Sequence, residues 1–243
     1  VEQLDSPYND VAFIKGLIAH LAQHYPIDAG RIYRVYDGVS DLDAAMLEPA
    51  TIALHAVRRT GVRMGDACVL LGAGPIGLFT MQCALAHGAG AIAVVEPHAG
   101  RREIAKSLGA TAVIDPINED VAERVQALFG PVGPDIVFEC AGISPTIQQS
   151  AELVRRGGTV AMIGLSPHTA EINPGTWLAN EVRMIASLGY TADEFAYTMG
   201  LIQDGRLKPG PVHTSTASLS DLAAAFENLN GNPQEIKVLV SPK

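Results

Sequence analysis

Cysteine, aromatic side chains and positive charge are all scarce in this 243-residue chain. Its three cysteines, Cys68, Cys83 and Cys140, stand far apart with no C-x-x-C pair, so no paired-cysteine zinc site can be assembled from them. They are expected to be reduced, buried thiols of a cytoplasmic protein. Lys and Arg number 17 against 26 Asp and Glu, a formal net charge of -9. An acidic chain of this kind lacks the field that draws nucleic acid or an anionic membrane, so neither is an expected partner. The first residues show no basic start followed by an apolar run, so no signal peptide is expected. His20, His24, His55, His87, His98, His168 and His213 are scattered with no H-E-x-x-H among them, and are expected to be surface or satisfied histidines.

Charge is also missing locally. Residues 67–95 contain no Asp, Glu, Lys or Arg, a stretch long enough to cross a bilayer. Gly72, Gly74, Pro75, Gly77, Gly88 and Gly90 interrupt it, however. Strand, turn, helix, turn, strand accounts for it better, since parallel strands buried on both faces read as continuous apolar runs.

What is present from residue 67 onward is an alternation. Val- and Ile-rich strands are expected at 67–72, 91–96, 112–115, 135–140, 159–164 and 182–188. Helices fit between most of them, at 76–87, 101–108, 120–129 and 145–155, with tail helices at 193–203 and 219–229 and a strand at 236–240. This predicts an α/β fold, a Rossmann doubly wound parallel sheet with helices on both faces. Upstream, apolar residues at Val11, Ile14, Leu17, Ile18 and Leu21 predict a helix over 11–23, and RIYRV a short strand over 31–35. Two further helices are expected at 41–47 and 49–60, with Pro49 at the start of the second.

Gly72-Ala73-Gly74-Pro75-Ile76-Gly77 reads G-x-G-x-x-G directly after the apolar run CVLL and before an apolar helix, and the next strand ends in Glu96. That context makes it the fingerprint of a dinucleotide-binding turn. Gly72 permits the turn, Gly74 lets a pyrophosphate approach the backbone, and Gly77 lets helix and strand pack closely. The helix N-terminus offers free N–H groups and partial positive charge to phosphates. Glu96 can accept the ribose hydroxyls and would repel a 2′-phosphate, so NAD is expected ahead of NADP. Arg101 and Arg102 temper that preference.

With these residues in view, the chain resembles the zinc-dependent medium-chain dehydrogenases, nearest the sorbitol, butanediol and threonine dehydrogenases. DGVSDLDAAMLEPATIALHAV (37–57), VLLGAGPIGLFTMQCALAHGA (69–89), VVEPHAGRREIAKSLGA (94–110), DIVFECAG (135–142), GGTVAMIGL (157–165) and IKVLV (236–240) carry the resemblance. It implies further cofactor contacts: Arg101 near the adenosine ribose, Ala141 and Gly142 beneath the adenine side, Gly164 and Leu165 at the nicotinamide, and Lys237 near the pyrophosphate. Each taken alone also reads as ordinary surface charge or loop backbone. Glu48 matches a glutamate close to the catalytic zinc; equally, it reads as a helix-start carboxylate facing the positive end of a dipole. The resemblance also implies a homodimer through the sheet edge near 182–188. A substrate pocket would lie beside Gly164 and Tyr190.

The family's N-terminal catalytic domain, with its first Cys ligand and Gly-His-Glu segment, has no counterpart in these 243 residues. No zinc is therefore expected here. YNDVAFIKGLIAHLAQHYPIDAGRIY (8–33) instead resembles a segment of polyhydroxybutyrate depolymerase and feruloyl esterase-type hydrolases. No G-x-S-x-G follows: GVSDL (38–42) and GLSPH (164–168) both fail at the last glycine. The expected organisation is a hydrolase-like, chimeric helical segment at 1–36, a dinucleotide-binding domain at 37–208, and a tail at 209–243 that in the family packs on the catalytic domain. The function expected is NAD(H) binding as the cofactor half of an alcohol or polyol dehydrogenase. The alternatives are a zinc-independent or partner-completed dehydrogenase, an esterase-type hydrolase, and a scaffold without catalysis.

Overall fold

A computed structural model describes residues 35, 38–232 and 234–241. The helix expected at 11–23, nearly all of the strand expected at 31–35 and the hydrolase-like segment lie outside the described residues. Residues 40–243 cluster as one compact unit, and the elements below belong to it.

The first helix, α1 (Asp41–Thr60), runs unbroken where two were expected. Pro49 sits inside it, and its missing N–H leaves the Ala45 carbonyl without the usual donor, a cost of about 3 kcal/mol. The helix continues because Met46, Leu47, Ala50, Ala53, Leu54, Ala56 and Val57 are all fully buried on both sides of the proline. Each large apolar side chain so buried contributes roughly 2 kcal/mol. Ser40 caps the start by accepting the Asp43 N–H at 3.1 Å, and Gly61 ends the helix in the left-handed region, φ 69°.

The alternation then follows as expected. It runs β1 (Ala67–Leu71), α2 (Pro75–Ala86), β2 (Ala91–Val95), α3 (Ala99–Ser107), β3 (Ala112–Ile114), α4 (Val121–Phe129), β4 (Ile136–Glu139), α5 (Ser144–Leu153) and β5 (Thr159–Met162). A one-and-a-half-turn helix, α6 (Pro174–Ala179), precedes β6 (Arg183–Ala186), and α7 (Ala192–Gln203) follows it. All six strands are parallel in the order β3-β2-β1-β4-β5-β6. The chain starts in the middle, winds one way to β3, then crosses back to β4. The strand order therefore reverses between β1 and β4, which opens a crevice at their carboxyl ends.

Side chains alternate across the sheet. Val69, Leu71, Ala93, Val95, Val137 and Val160 meet Val121, Val125, Leu153 and Val154 on one face. Cys68, Leu70, Ile92 and Phe138, also buried, point the other way. Every residue of α2 from Gly77 to Ala84 is buried, and α1 packs along it and against α7. The uncharged stretch 67–95 is thus β1, α2 and β2. No described helix is long and apolar enough to cross a membrane.

The tail holds a strand that the sequence did not reveal. β7 (His213–Ser218) pairs in parallel with β8 (Lys237–Ser241), and α8 (Leu222–Gly231) lies between them in the chain. The expected helix start at Leu219 is a single 3-10 turn, Leu219–Asp221, closed by Ser218. The Lys208 N–H donates to Gln82 Oε1 at 2.7 Å and ties the segment before β7 to α2.

Candidate functional site

The crevice at the strand reversal is a cleft of ≈ 580 Å³ whose wall includes Gly72, Gly74, Glu96, Arg101, Cys140 and Ala141. The glycine loop forms its floor. Gly72 continues the ladder by donating its N–H to the Val95 carbonyl at 2.8 Å, then turns at φ 103°, where an L side chain is strained. Gly74 caps α2 in an extended conformation, and a Cβ there would meet nothing within 4 Å. A Cβ on Gly77 would overlap the Gly72 carbonyl oxygen. Gly72 thus makes the turn, Gly77 permits the close packing of helix on strand, and Gly74 leaves open space beside the backbone. Pro75 opens α2 without an N–H to satisfy, while the N–H groups of Ile76 and Gly77 precede the first intrahelical bond, Leu78 to Gly74 at 2.9 Å.

Glu96, at the end of β2, is 3% exposed. Its Oε2 accepts the Ala73 N–H at 2.7 Å and its Oε1 the His98 N–H at 3.0 Å. Besides facing the cleft, the carboxylate therefore fixes the glycine loop against the β2–α3 turn, a role the sequence did not disclose. A carboxylate has about four lone-pair sites, so acceptors remain for a ligand.

The two arginines after Glu96 separate. Arg102 donates to the carbonyls of Glu96 and Pro97 at 2.8 and 2.7 Å and pairs with Asp115 at 2.9 Å. The Asn118 amide and Ile117 N–H, with Arg102 alongside, hold the Asp115 carboxyl below its ordinary range. Arg101 stands in the cleft wall and donates to the Glu235 carbonyl at 2.8 Å.

Ala141 lines the cleft, and the Gly142 turn, φ 69°, abuts the Gly164–Leu165 backbone so closely that a Cβ on Gly142 would come 2.7 Å from the Leu165 oxygen. Gly164, Leu165 and Tyr190 are not part of the cleft wall, and Leu165 is 87% exposed. Lys237 begins β8 and lines a separate apolar groove with Leu222, Phe226 and Leu229. Glu48 is exposed in the middle of α1, so its reading as a helix-start carboxylate is corrected by the continuity of that helix. The serines of the near-miss motifs have local roles: Ser40 caps α1, and Ser166 donates to the His168 carbonyl at 2.9 Å. Among the described residues, no group of three His, Cys, Asp or Glu side chains could hold a metal ion.

Sequence reasoning missed Glu139, the last residue of β4, which is fully buried. Its signal was an acid inside the apolar run DIVFECAG.

Comparison with known proteins agrees with this architecture. The family model for zinc-binding dehydrogenases matches residues 75–204, more than half of the chain. A 2-dehydro-3-deoxy-L-galactonate 5-dehydrogenase of Pseudoalteromonas atlantica is 33% identical over 89% of this chain and 63% of its own length. Sorbitol dehydrogenase of Gallus gallus is 32% identical over 86% of this chain and 59% of its own. A zinc-binding dehydrogenase from Sinorhizobium meliloti 1021, solved bound to NADP, superimposes with a TM-score of 0.77 at 31% identity, covering 86% of this chain and 62% of the other. The chain therefore spans about three fifths of the length of these relatives. With a glycine loop at the reversal of a six-stranded parallel sheet, and a family model that matches residues 75–204, the chain belongs to the zinc-binding dehydrogenases.

Proposed function

We propose that this chain is the NAD(H)-binding part of a medium-chain alcohol or polyol dehydrogenase. The observation that carries the reading is Glu96: a buried carboxylate at the end of β2 that faces the same cleft as Gly72 and Gly74. The residues present fit the cofactor. Gly74 leaves open space where a pyrophosphate would lie against backbone, and the free N–H groups of Ile76 and Gly77 would donate to it. Glu96 would accept the adenosine ribose hydroxyls, with Arg101 on the neighbouring wall. Ala141 and Gly142 would support the adenosine side, and Gly164 and Leu165 the nicotinamide side. The bound cofactor would supply hydride transfer; these residues orient it and exclude water from its phosphates.

Glu96 favours NAD, because a 2′-phosphate would bring negative charge against it. Arg102 is committed to Asp115, and Arg101 on the cleft wall donates to the Glu235 carbonyl. On this reading residues 37–208 are the cofactor domain and 209–243 a tail whose exposed Phe226 and Leu229 await a catalytic domain. The outer edge of β6, with Leu188 89% exposed beside it, is the surface for a homodimer.

Titration of the chain with NADH and NADPH by calorimetry tests the reading. Saturable NADH binding with weaker NADPH binding supports it; heat from neither nucleotide overturns it.

A further inference from the structure

Strands β2 and β4 flank β1, and each closes on a buried carboxylate, Glu96 and Glu139. Leu71 pairs with Val95 on one side and with Glu139 on the other, so the two acids stand almost level across the sheet. Glu96 holds the glycine loop. Glu139 holds the turn that leads into α5. Its Oε1 accepts the N–H groups of Ala141 and Gly142 at 3.0 and 2.8 Å and the Thr146 hydroxyl at 2.7 Å. Bonds to a carboxylate are stronger than those between neutral groups. Oε2 finds no partner among the described residues, so the whole grip of the side chain falls on this one turn. The backbone carbonyl of Glu139 accepts the N–H groups of Ile163 and Gly164, both at 2.9 Å, and anchors the residue to the end of β5.

Two of the residues so held belong to the cleft. Ala141 and Thr146 line it, with Ile143 and Pro145 between them. From the other side of β1, Glu96, Pro97 and His98 complete it. Glu139 is fully buried and is not part of the cleft wall, so it can act on a ligand only through the residues it holds.

We infer that Glu139 is a positioning residue that fixes the Ala141–Thr146 wall of the cleft and thereby sets the affinity for the adenosine part of the dinucleotide. The inference rests on the cofactor reading above, which lays the adenosine between that wall and Glu96. A released turn has to be ordered again on binding, and that cost is subtracted from the affinity. The pyrophosphate would sit on the N-terminus of α2, which Glu139 does not touch. The loss should therefore be contained in the adenosine fragment, and AMP and NADH should lose the same factor.

The test titrates AMP and NADH into wild type, Glu139→Ala and Glu139→Gln, each well below its melting temperature, and follows amide exchange at Ala141, Gly142 and Ala73. Glu139→Ala should weaken AMP about tenfold, and NADH by the same factor. Its Ala141 and Gly142 amides should exchange about tenfold faster, while that of Ala73, held by Glu96, keeps its wild-type rate. Glu139→Gln keeps a carbonyl oxygen to accept the same three donors, and should restore both affinities to within about threefold of wild type. AMP affinity unchanged in folded Glu139→Ala, or a loss on NADH that AMP does not share, would overturn the positioning role and leave the cofactor reading standing. So would exchange at Ala73 that rises with the other two, because it marks a general loosening of the fold. Wild type that binds neither nucleotide ends the cofactor reading, and this inference with it.

Discussion

The Glu96 carboxylate accepts the Ala73 N–H at 2.7 Å, so a residue that faces the cleft also holds the glycine loop in place. Glu96→Ala should act twice. It leaves the Ala73 and His98 N–H groups short of their acceptor, at about 1–3 kcal/mol for each that stays buried, and it removes the repulsion of a 2′-phosphate. Glu96→Gln retains an acceptor oxygen and removes only the charge. Thermal melts should show Ala well below Gln, with Gln near wild type, whereas calorimetry should show both variants binding NADPH better relative to NADH. Equal melts for Ala and wild type would deny the loop-holding role.

The glycine loop offers a matched pair of substitutions. Gly77→Ala drives a methyl into the Gly72 carbonyl and should cost about 2 kcal/mol or more, lowering the melting temperature by several degrees. Gly74→Ala places a methyl in open space, and should stay within about 0.5 kcal/mol of wild-type stability. Its cost should be in NADH affinity instead. A Gly74→Ala chain that binds NADH as wild type does would remove the pyrophosphate from that position.

Glu194 links α7 to α1. Its Oε2 accepts the Thr191 N–H at 2.9 Å and lies 2.8 Å from His55 Nδ1. Burial pushes this carboxyl up, but the Thr191 N–H and then the His55 ring outweigh it and hold it below the ordinary range. A lowered folded pKa means stability that is present above the unfolded value of about 4.3 and lost as pH falls through the folded value. Glu194→Gln should therefore melt lower than wild type near neutrality, and the gap should narrow as the melts are repeated from about pH 6 to about pH 3. A gap that stays constant over that range would exclude the carboxylate as its source.

Two of the three thiols should be silent in the native chain. Burial pushes Cys68 up to about 12, with Asp66 and Asp135 adding to it, and burial likewise raises Cys83. Cys140 is only half-buried and stands in the cleft wall. At about pH 8 almost no Cys68 or Cys83 thiolate forms, so a thiol reagent should label these two only after denaturation. Rapid labelling of either without denaturant would contradict the packing of β1 and α2.

Local pattern made the sheet legible. Apolar strands punctuated by glycines, with Glu96 closing the second, placed six strands where the structure has them. The misses arise where local pattern is silent. Pro49 signals a helix start, and nothing near it in sequence says that α2 and α7 bury the helix on either side. HTSTAS carries no apolar alternation, and β7 exists because β8 pairs with it from more than twenty residues away. Glu139 stood in plain view as an acid in an apolar strand, but its partners come from two turns and a helix that only the fold assembles.

Because α2 is buried on every side and α1 supplies one of those sides, the inheritable unit here is longer than the alternating pattern suggests. A recombination point that joined a foreign N-terminal half at Ala67 would strip α2 of its cover and leave a sticky, insoluble product. Junctions that preserve this folded unit must fall ahead of Asp41. The same boundary governs any attempt to transplant this module into another dehydrogenase, where α1 has to travel with the sheet.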